Sequence, residues 1–197
     1  MRKLILPMLL ALAATALAAG TNKDEASVGA KAPDFSLTDA AGKTVSLHDY
    51  AGKIVVLEWI NHDCPIDTRV LNSKLTTSVE KKYHDKDVVF LAIDSTSNHT
   101  TADLAKTADL FGISYPILND FSGKVGHEYG AKTTPNMYII NKDGTLVYEG
   151  GIDNDPNGAN PTGRVNYVDQ ALAELTAGKP VSITETKPYG CSVKYAD

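Results

Sequence analysis

The segment "KIVVLEWINHDCPIDTRV", residues 53–70, holds a strand, a turn and the start of a helix. Ile54 to Ile60 is an apolar run interrupted only by Glu58, the pattern of a central strand buried on both faces. From Pro65 onward, Ile66, Val70, Leu71, Leu75, Val79 and Tyr83 keep helical spacing, which predicts one helix from Pro65 through Tyr83. Pro65 suits the first helical turn, where a missing N–H costs nothing. Strand, Cys64-Pro65 and helix together put the Cys64 sulfur at a helix N-terminus. Free backbone N–H groups and the positive end of the helix dipole favour thiolate there, below the free value of about 8.5. Asp63 and Asp67 oppose that by like-charge repulsion, and a protonated His62 assists it. The residues alone leave the net sign open, and a small buried cysteine without chemistry is the competing reading.

The flanks extend the same architecture. Residues 33–47, "PDFSLTDAAGKTVSL", alternate Phe35, Leu37, Val45 and Leu47 around Ala41-Gly42, which predicts a β-hairpin. "DVVFLAID" is a second buried strand. Thr100 and Asp103 form a capping box for a helix burying Leu104, Ala105, Ala108 and Phe111 and ending at Gly112. "YPIL" reads as a short strand, "FSGKVGHEYG" as a short helix, and "NMYIINKDGTLVYEGG" as a hairpin turning at Asp143-Gly144. A last helix carries Val165, Val168, Leu172 and Leu175 before Gly178 and Pro180, and a tail follows. This is an α/β fold with a mixed sheet flanked by helices.

The opening "MRKLILPMLLALAATALAAG" has a basic start, an apolar run and a small-residue exit, the pattern of a secretory signal peptide over residues 1–19. Residues 20–28 read as a polar leader and 29–197 as one domain, an exported protein with no membrane span after cleavage. The net charge of −5 with no basic run argues against a nucleic-acid partner. Two cysteines, Cys64 and Cys191, are too few for a disulfide-framed fold.

Residues 28–65, "VGAKAPDFSLTDAAGKTVSLHDYAGKIVVLEWINHDCP", resemble the opening of redoxins, thioredoxin-fold proteins of the alkyl hydroperoxide reductase/thiol-specific antioxidant type. "YGAKTTPNMYIINKDGTLVYEGGID" is similar to the second half of that family. The tail "KPYGCSVKY" resembles an exported subgroup with one cysteine at the active-site position. The resemblance implies a thioredoxin fold with an N-terminal hairpin extension and a C-terminal tail. It implies Cys64 as the attacking thiol and Pro135 as a cis-proline lying against it, with Thr134 offering backbone groups to an extended substrate and Pro65 beside the sulfur. Glu58 matches a buried, proton-relaying acid, and Asn61 stands where a hydrogen bond to a peroxide oxygen would form.

The departures are equally specific. Asp67 occupies the position of the second thioredoxin cysteine, so no local Cys-x-x-Cys dithiol exists. Leu57 and Asn61 stand where peroxiredoxins carry proline and threonine or serine. Cys191 matches a resolving cysteine, which condenses with an oxidised or mixed-disulfide partner. Pairing within the chain, pairing across a homodimer, a free thiol and a permanent bridge all remain open. The implied reaction takes a peroxide or a protein disulfide as substrate and an external thiol as reductant, without a cofactor. A redox-inert binding module is the alternative. Asp153, Asp155 and Asn157 imitate half of a calcium loop, but Arg164 stands at the position of the closing glutamate, so the loop reads as a solvated turn. His62, Cys64 and His127 are a conceivable copper set, but without a second nearby cysteine no metal is expected.

Overall fold

The computed structural model describes residues 25–196. The signal-like segment 1–19 and leader residues 20–24 lie outside the described residues. Ala26 and Val28 of the leader pack against the body, and the Ala26 N–H donates to the Glu128 carbonyl at 2.7 Å. Among the described residues, no helix is long and apolar enough to cross a membrane.

The expected hairpin forms from β1 (Ser36–Asp39) and β2 (Thr44–Ser46), with Gly42 at φ +79° in the turn. The next strand, β3 (Ile54–Trp59), is buried along its whole length. Its alternation sends Val55, Leu57 and Trp59 into one apolar cluster and Ile54 and Val56 into another on the opposite face. There follow α1 (Pro65–Asn72), α2 (Leu75–Tyr83), β4 (Val88–Asp94), α3 (Thr101–Phe111), β5 (Ile117–Asn119) and α4 (Lys124–Glu128). The chain continues through β6 (Thr133–Thr134), β7 (Asn136–Ile140), β8 (Leu146–Gly150), α5 (Tyr167–Thr176) and β9 (Cys191–Ser192).

The main sheet runs β2-β1-β5-β4-β3-β7-β8. Strands β3, β4 and β5 are parallel, while β7 and β8 continue antiparallel on one side and β1 and β2 on the other. Apolar residues of α1, α2, α3 and α5 fill one face; α4 and the tail residues Val193 and Tyr195 fill the other. Trp59 is fully buried against Tyr129 and Tyr138, and its indole N–H donates to Ser95 Oγ at 3.0 Å.

Three expectations need correction. The single helix expected from Pro65 to Tyr83 is two helices, because Lys74 takes a left-handed φ of +60° and its ammonium caps the Phe111 carbonyl. The break places Thr76 so that its hydroxyl donates to Glu58 Oε1 at 2.7 Å. A left-handed residue costs roughly 1–2 kcal/mol, whereas a buried carboxyl without a partner costs about 1–3 kcal/mol or more. In α3 the capping box forms as expected, but the inward row is Leu104, Thr107 and Phe111, leaving Ala105 exposed. The loop from Asp153 is largely exposed, as expected, but its two aspartates are not solvated: Asp153 and Asp155 are buried, and Arg164 lies 3.3 Å from Asp153 and 3.0 Å from Asp155. The guanidinium supplies the positive charge that a calcium ion would bring to such a loop.

Candidate functional site

Cys64 is the N-cap of α1, in extended backbone, with Pro65 in the first turn as the sequence predicts. The Asp67 N–H points at Cys64 Sγ from 3.5 Å. Cys64 is disulfide-bonded to Cys191 within one chain, with the Cα atoms 5.8 Å apart. Intrachain pairing is therefore the arrangement adopted, and no second chain is needed to complete it. Cys191 arrives on β9, which pairs antiparallel with β6 so that Thr134 faces Cys191 and Thr133 faces Ser192. The Thr134-Pro135 bond is cis. The Cys191 N–H points at Cys64 Sγ from 3.3 Å, and the Thr134 carbonyl oxygen lies 3.4 Å away. The backbone edge of Thr134, expected to meet an extended substrate, is occupied by the protein's own tail.

That tail is held at many points. Thr186 Oγ1 accepts from the Gly151 N–H at 2.9 Å, and the Tyr189 hydroxyl donates to Asp153 Oδ1 at 2.5 Å. The Val193 N–H donates to the Lys132 carbonyl at 3.1 Å, and the Tyr195 hydroxyl to the Ala131 carbonyl at 2.8 Å. The Tyr195 ring stacks on His127 at 4.0 Å and lies against Gly123 and Gly126, where a Cβ would collide with it. His62, Cys64 and His127 are thus apart in role: His127 serves the tail and Cys64 is in the disulfide.

Below the sulfurs lie two wholly buried carboxyls, Glu58 and Asp67. Burial pushes the Glu58 pKa up, against the hydrogen bonds from Thr76 and from the Tyr115 hydroxyl at 2.8 Å. Asp67 is pushed well above the ordinary carboxylate range, first by burial, then by the Glu58 charge, against the Asn61 N–H that donates to its Oδ2 at 2.6 Å. Its Oδ1 is buried without a partner. Both acids are therefore biased toward the neutral form, which weakens the opposition that Asp67 offers to a Cys64 thiolate.

The elevation has a testable consequence. A carboxyl with a raised folded pKa binds more protons folded than unfolded, so its contribution is full at acid pH and is lost as pH rises through the folded value. Asp67→Asn keeps an acceptor for the Asn61 N–H and removes that loss. Chemical denaturation of the oxidised protein should show the variant and wild type nearly equal near pH 4. At pH 8 the variant should be more stable, by roughly 1–3 kcal/mol, the cost of a buried unsatisfied polar group. A variant less stable at pH 8 than at pH 4, by as much as wild type, would contradict the assignment.

Asn61 is buried at the wall of a cavity of about 280 Å³ over the disulfide, and its side-chain oxygen accepts from the Asp63 N–H at 2.7 Å. This fixes the turn that presents Cys64. Beside it, the His62 and His99 rings stack with centroids 4.4 Å apart. Burial alone would lower the His99 pKa, but Asp94 at 2.7 Å and Asp63 at 3.2 Å outweigh it and hold it above the ordinary imidazole value. Sequence reasoning missed Thr76, Tyr115, Asp94, His99 and Thr107. A signal was present for Asp94 and His99: they end and follow the second buried strand, and functional groups in parallel sheets gather beyond the carboxyl ends of the strands.

A parallel three-stranded centre with an antiparallel hairpin beside it, a cysteine heading the helix after the central strand and a cis Thr134-Pro135 bond whose carbonyl oxygen meets that cysteine define a thioredoxin-fold protein. The chain belongs to the AhpC/TSA family, which matches residues 28–149. A Geobacillus thermodenitrificans protein named thiol-disulfide oxidoreductase ResA is 32% identical over 148 residues, 74% of this chain and 83% of that one. An uncharacterized conserved protein from Geobacillus kaustophilus has a crystal structure with TM-score 0.76 and 31% identity, covering 86% of this chain and 93% of that one. A putative thiol:disulfide interchange protein DsbE from Chlorobium tepidum shares the fold at TM-score 0.57 and 24% identity, over 64% of this chain and 85% of that one.

Proposed function

We propose that this is an exported thiol-disulfide oxidoreductase whose Cys64 and Cys191 cycle between a dithiol and the disulfide described above. The observation that carries the reading is the placement of Cys191. It lies on a strand paired to Thr134, with its own N–H and that of Asp67 both aimed at Cys64 Sγ. Two N–H groups aimed at one sulfur stabilise the thiolate that attacks and leaves in exchange chemistry. Asp67 removes any local second thiol, so resolution falls to the tail.

In the reduced protein, the Cys64 thiolate attacks a substrate disulfide. A Cys64–substrate bond forms, the substrate S–S bond breaks, and one substrate sulfur leaves as thiolate. Cys191 thiolate then attacks Cys64 Sγ, forming the intrachain disulfide and releasing the second substrate thiolate. Two electrons pass from protein to substrate, and an external thiol reductant restores the dithiol. Glu58 and Asp67 hold protons beneath the couple. A protein disulfide is favoured over a peroxide as substrate because Leu57 and Asn61 replace the peroxiredoxin proline and hydroxyl residue. The naming of the relatives supports the same choice.

The test uses reduced protein and a synthetic pair of peptides joined by a disulfide. Wild type should separate the peptides and finish as the Cys64–Cys191 disulfide, while Cys191→Ser should stop at a Cys64–peptide adduct visible by mass spectrometry. Three results would each overturn the reading. One is an adduct forming no faster than with a free thiol. Another is a native disulfide that resists excess dithiothreitol. The third is faster oxidation of Cys64 by hydrogen peroxide than by the peptide disulfide.

A further inference from the structure

Beside the disulfide, His62, Asp63 and His99 converge, with one ligand atom from each lying within 4.8 Å of the others. The proton accounting of their neighbours is specific. The Thr107 hydroxyl donates to the Asp103 carbonyl at 2.7 Å, so toward His62 Nδ1, 3.1 Å away, it can only accept. His62 therefore carries its proton on Nδ1, and its Nε2 lone pair faces Asp63 Oδ1 at 3.6 Å. His99 Nδ1 likewise meets the buried Asp94 carboxylate at 2.7 Å, which makes Nδ1 a donor and turns Nε2 to Asp63 Oδ2 at 3.2 Å.

The convergence thus brings the Nε2 atoms of two imidazoles to the two oxygens of one carboxylate, with a hydrogen bond on the His99–Asp63 edge alone. One proton on His99 satisfies a single edge of this triangle; a divalent cation satisfies all three.

We propose that His62, Asp63 and His99 bind a divalent transition-metal ion of the zinc class. Two imidazoles and a carboxylate are a donor set zinc takes readily, with bonds of about 2.0–2.2 Å, so that neighbouring ligand atoms stand about 3.3 Å apart. The distance from His99 Nε2 to Asp63 Oδ2, 3.2 Å, is already close to that, and His62 Nε2 stands 3.6 Å from the other carboxylate oxygen, Oδ1. The third edge joins the two imidazoles, whose ligand atoms lie within 4.8 Å; metal binding would close it by turning the His62 ring out of its stack on the buried His99, while the largely exposed Asp63 adjusts its carboxylate. Asp94 and Thr107 play the outer-shell part that orients metal-binding histidines and sets their tautomer. Asp63 also borders the 280 Å³ cavity with Asn61, Cys64, Asn98, Cys191 and Lys194, which leaves a water-accessible side for a further ligand. The site stands independently of the proposed exchange reaction, since none of its ligands is a sulfur.

The experiment titrates Zn²⁺ into the oxidised, tag-free protein, where the disulfide removes both thiols as competitors, against a chromophoric chelator. The expected result is one equivalent bound with a dissociation constant in the micromolar range or tighter. His62→Gln should weaken binding by at least tenfold, and Thr107→Val, which touches no ligand atom, by about ten- to a hundredfold. His48→Gln, at an exposed His–Asp pair elsewhere, should change nothing. Intact Cys64–Cys191 disulfide and unchanged circular dichroism would certify that each variant is folded; His62 is the first choice because His99 is buried. Absence of stoichiometric binding to wild type overturns the proposal, as does binding that survives His62→Gln or is lost with His48→Gln.

Discussion

Reducing the Cys64–Cys191 bond is expected to lower the free energy of unfolding by about 5 kcal/mol. The two cysteines are 127 residues apart, and in the chain-entropy account a loop of that length loses about 5 kcal/mol of conformational freedom in the unfolded state when it is closed. Few single bonds in a protein of this size carry as much, since native stabilities run about 5–15 kcal/mol in total. The measurement is urea denaturation of wild type with and without dithiothreitol, with Cys191→Ser as the genetic counterpart. Linkage makes the effect reciprocal: a fold stabilised by the bond must favour the bond by the same amount. Every 1.4 kcal/mol is tenfold, so the folded protein should favour the disulfide over the unfolded chain by roughly 10³- to 10⁴-fold. A loss below about 1 kcal/mol on reduction would show that the fold does not drive this pairing, and would remove the thermodynamic pull toward the oxidised state.

Gly190→Ala should undo the same pairing without touching either sulfur. Gly190 sits at φ +141°, a conformation L side chains rarely adopt, and a Cβ there would overlap the Thr134 carbonyl and its peptide. Backbone strain of this kind costs about 1–3 kcal/mol. The collision is with backbone on the paired strand β6, so it cannot be relieved by turning a flexible side chain. The tail must lift, and Cys191 moves from its place opposite Thr134. In a defined glutathione buffer the equilibrium for disulfide formation should fall at least tenfold, and Cys64 should become readily alkylated. Gly178→Ala is the control: φ there is +71°, but nothing lies within 4 Å of its Cβ position. An unchanged redox equilibrium in Gly190→Ala would mean that the β6–β9 register does not present Cys191.

Much of the fold was legible because its signals are local. The buried run at 54–60, the capping box at Thr100 and Asp103 and the Asp143-Gly144 turn each depend on a few neighbouring residues, and each stands where expected. The helix broken at Lys74 was not legible. Its apolar spacing continues straight through the break, which answers to Glu58, sixteen residues earlier than Lys74 in the chain and reached through Thr76. The loop at Asp153 misled for a related reason. Its acidic residues suggest a solvated turn until Arg164 is folded back among them.

By itself, the sequence determined that Cys64 heads a helix after a buried central strand, and that Asp67 denies it a neighbouring thiol. Both are matters of short-range spacing. Only the tertiary structure decided what Cys64 faces. The partner lies 127 residues away, brought by a two-residue strand that carries no periodic signal of its own and is held by Thr134, Asp153, Lys132 and Ala131. The neutral bias of Asp67 is likewise a product of burial beside Glu58. So is the meeting of His99 with His62, which comes from β3 and β4 running parallel and ending side by side. A chain writes its periodicities locally, but encounters between its ends exist only once it is packed.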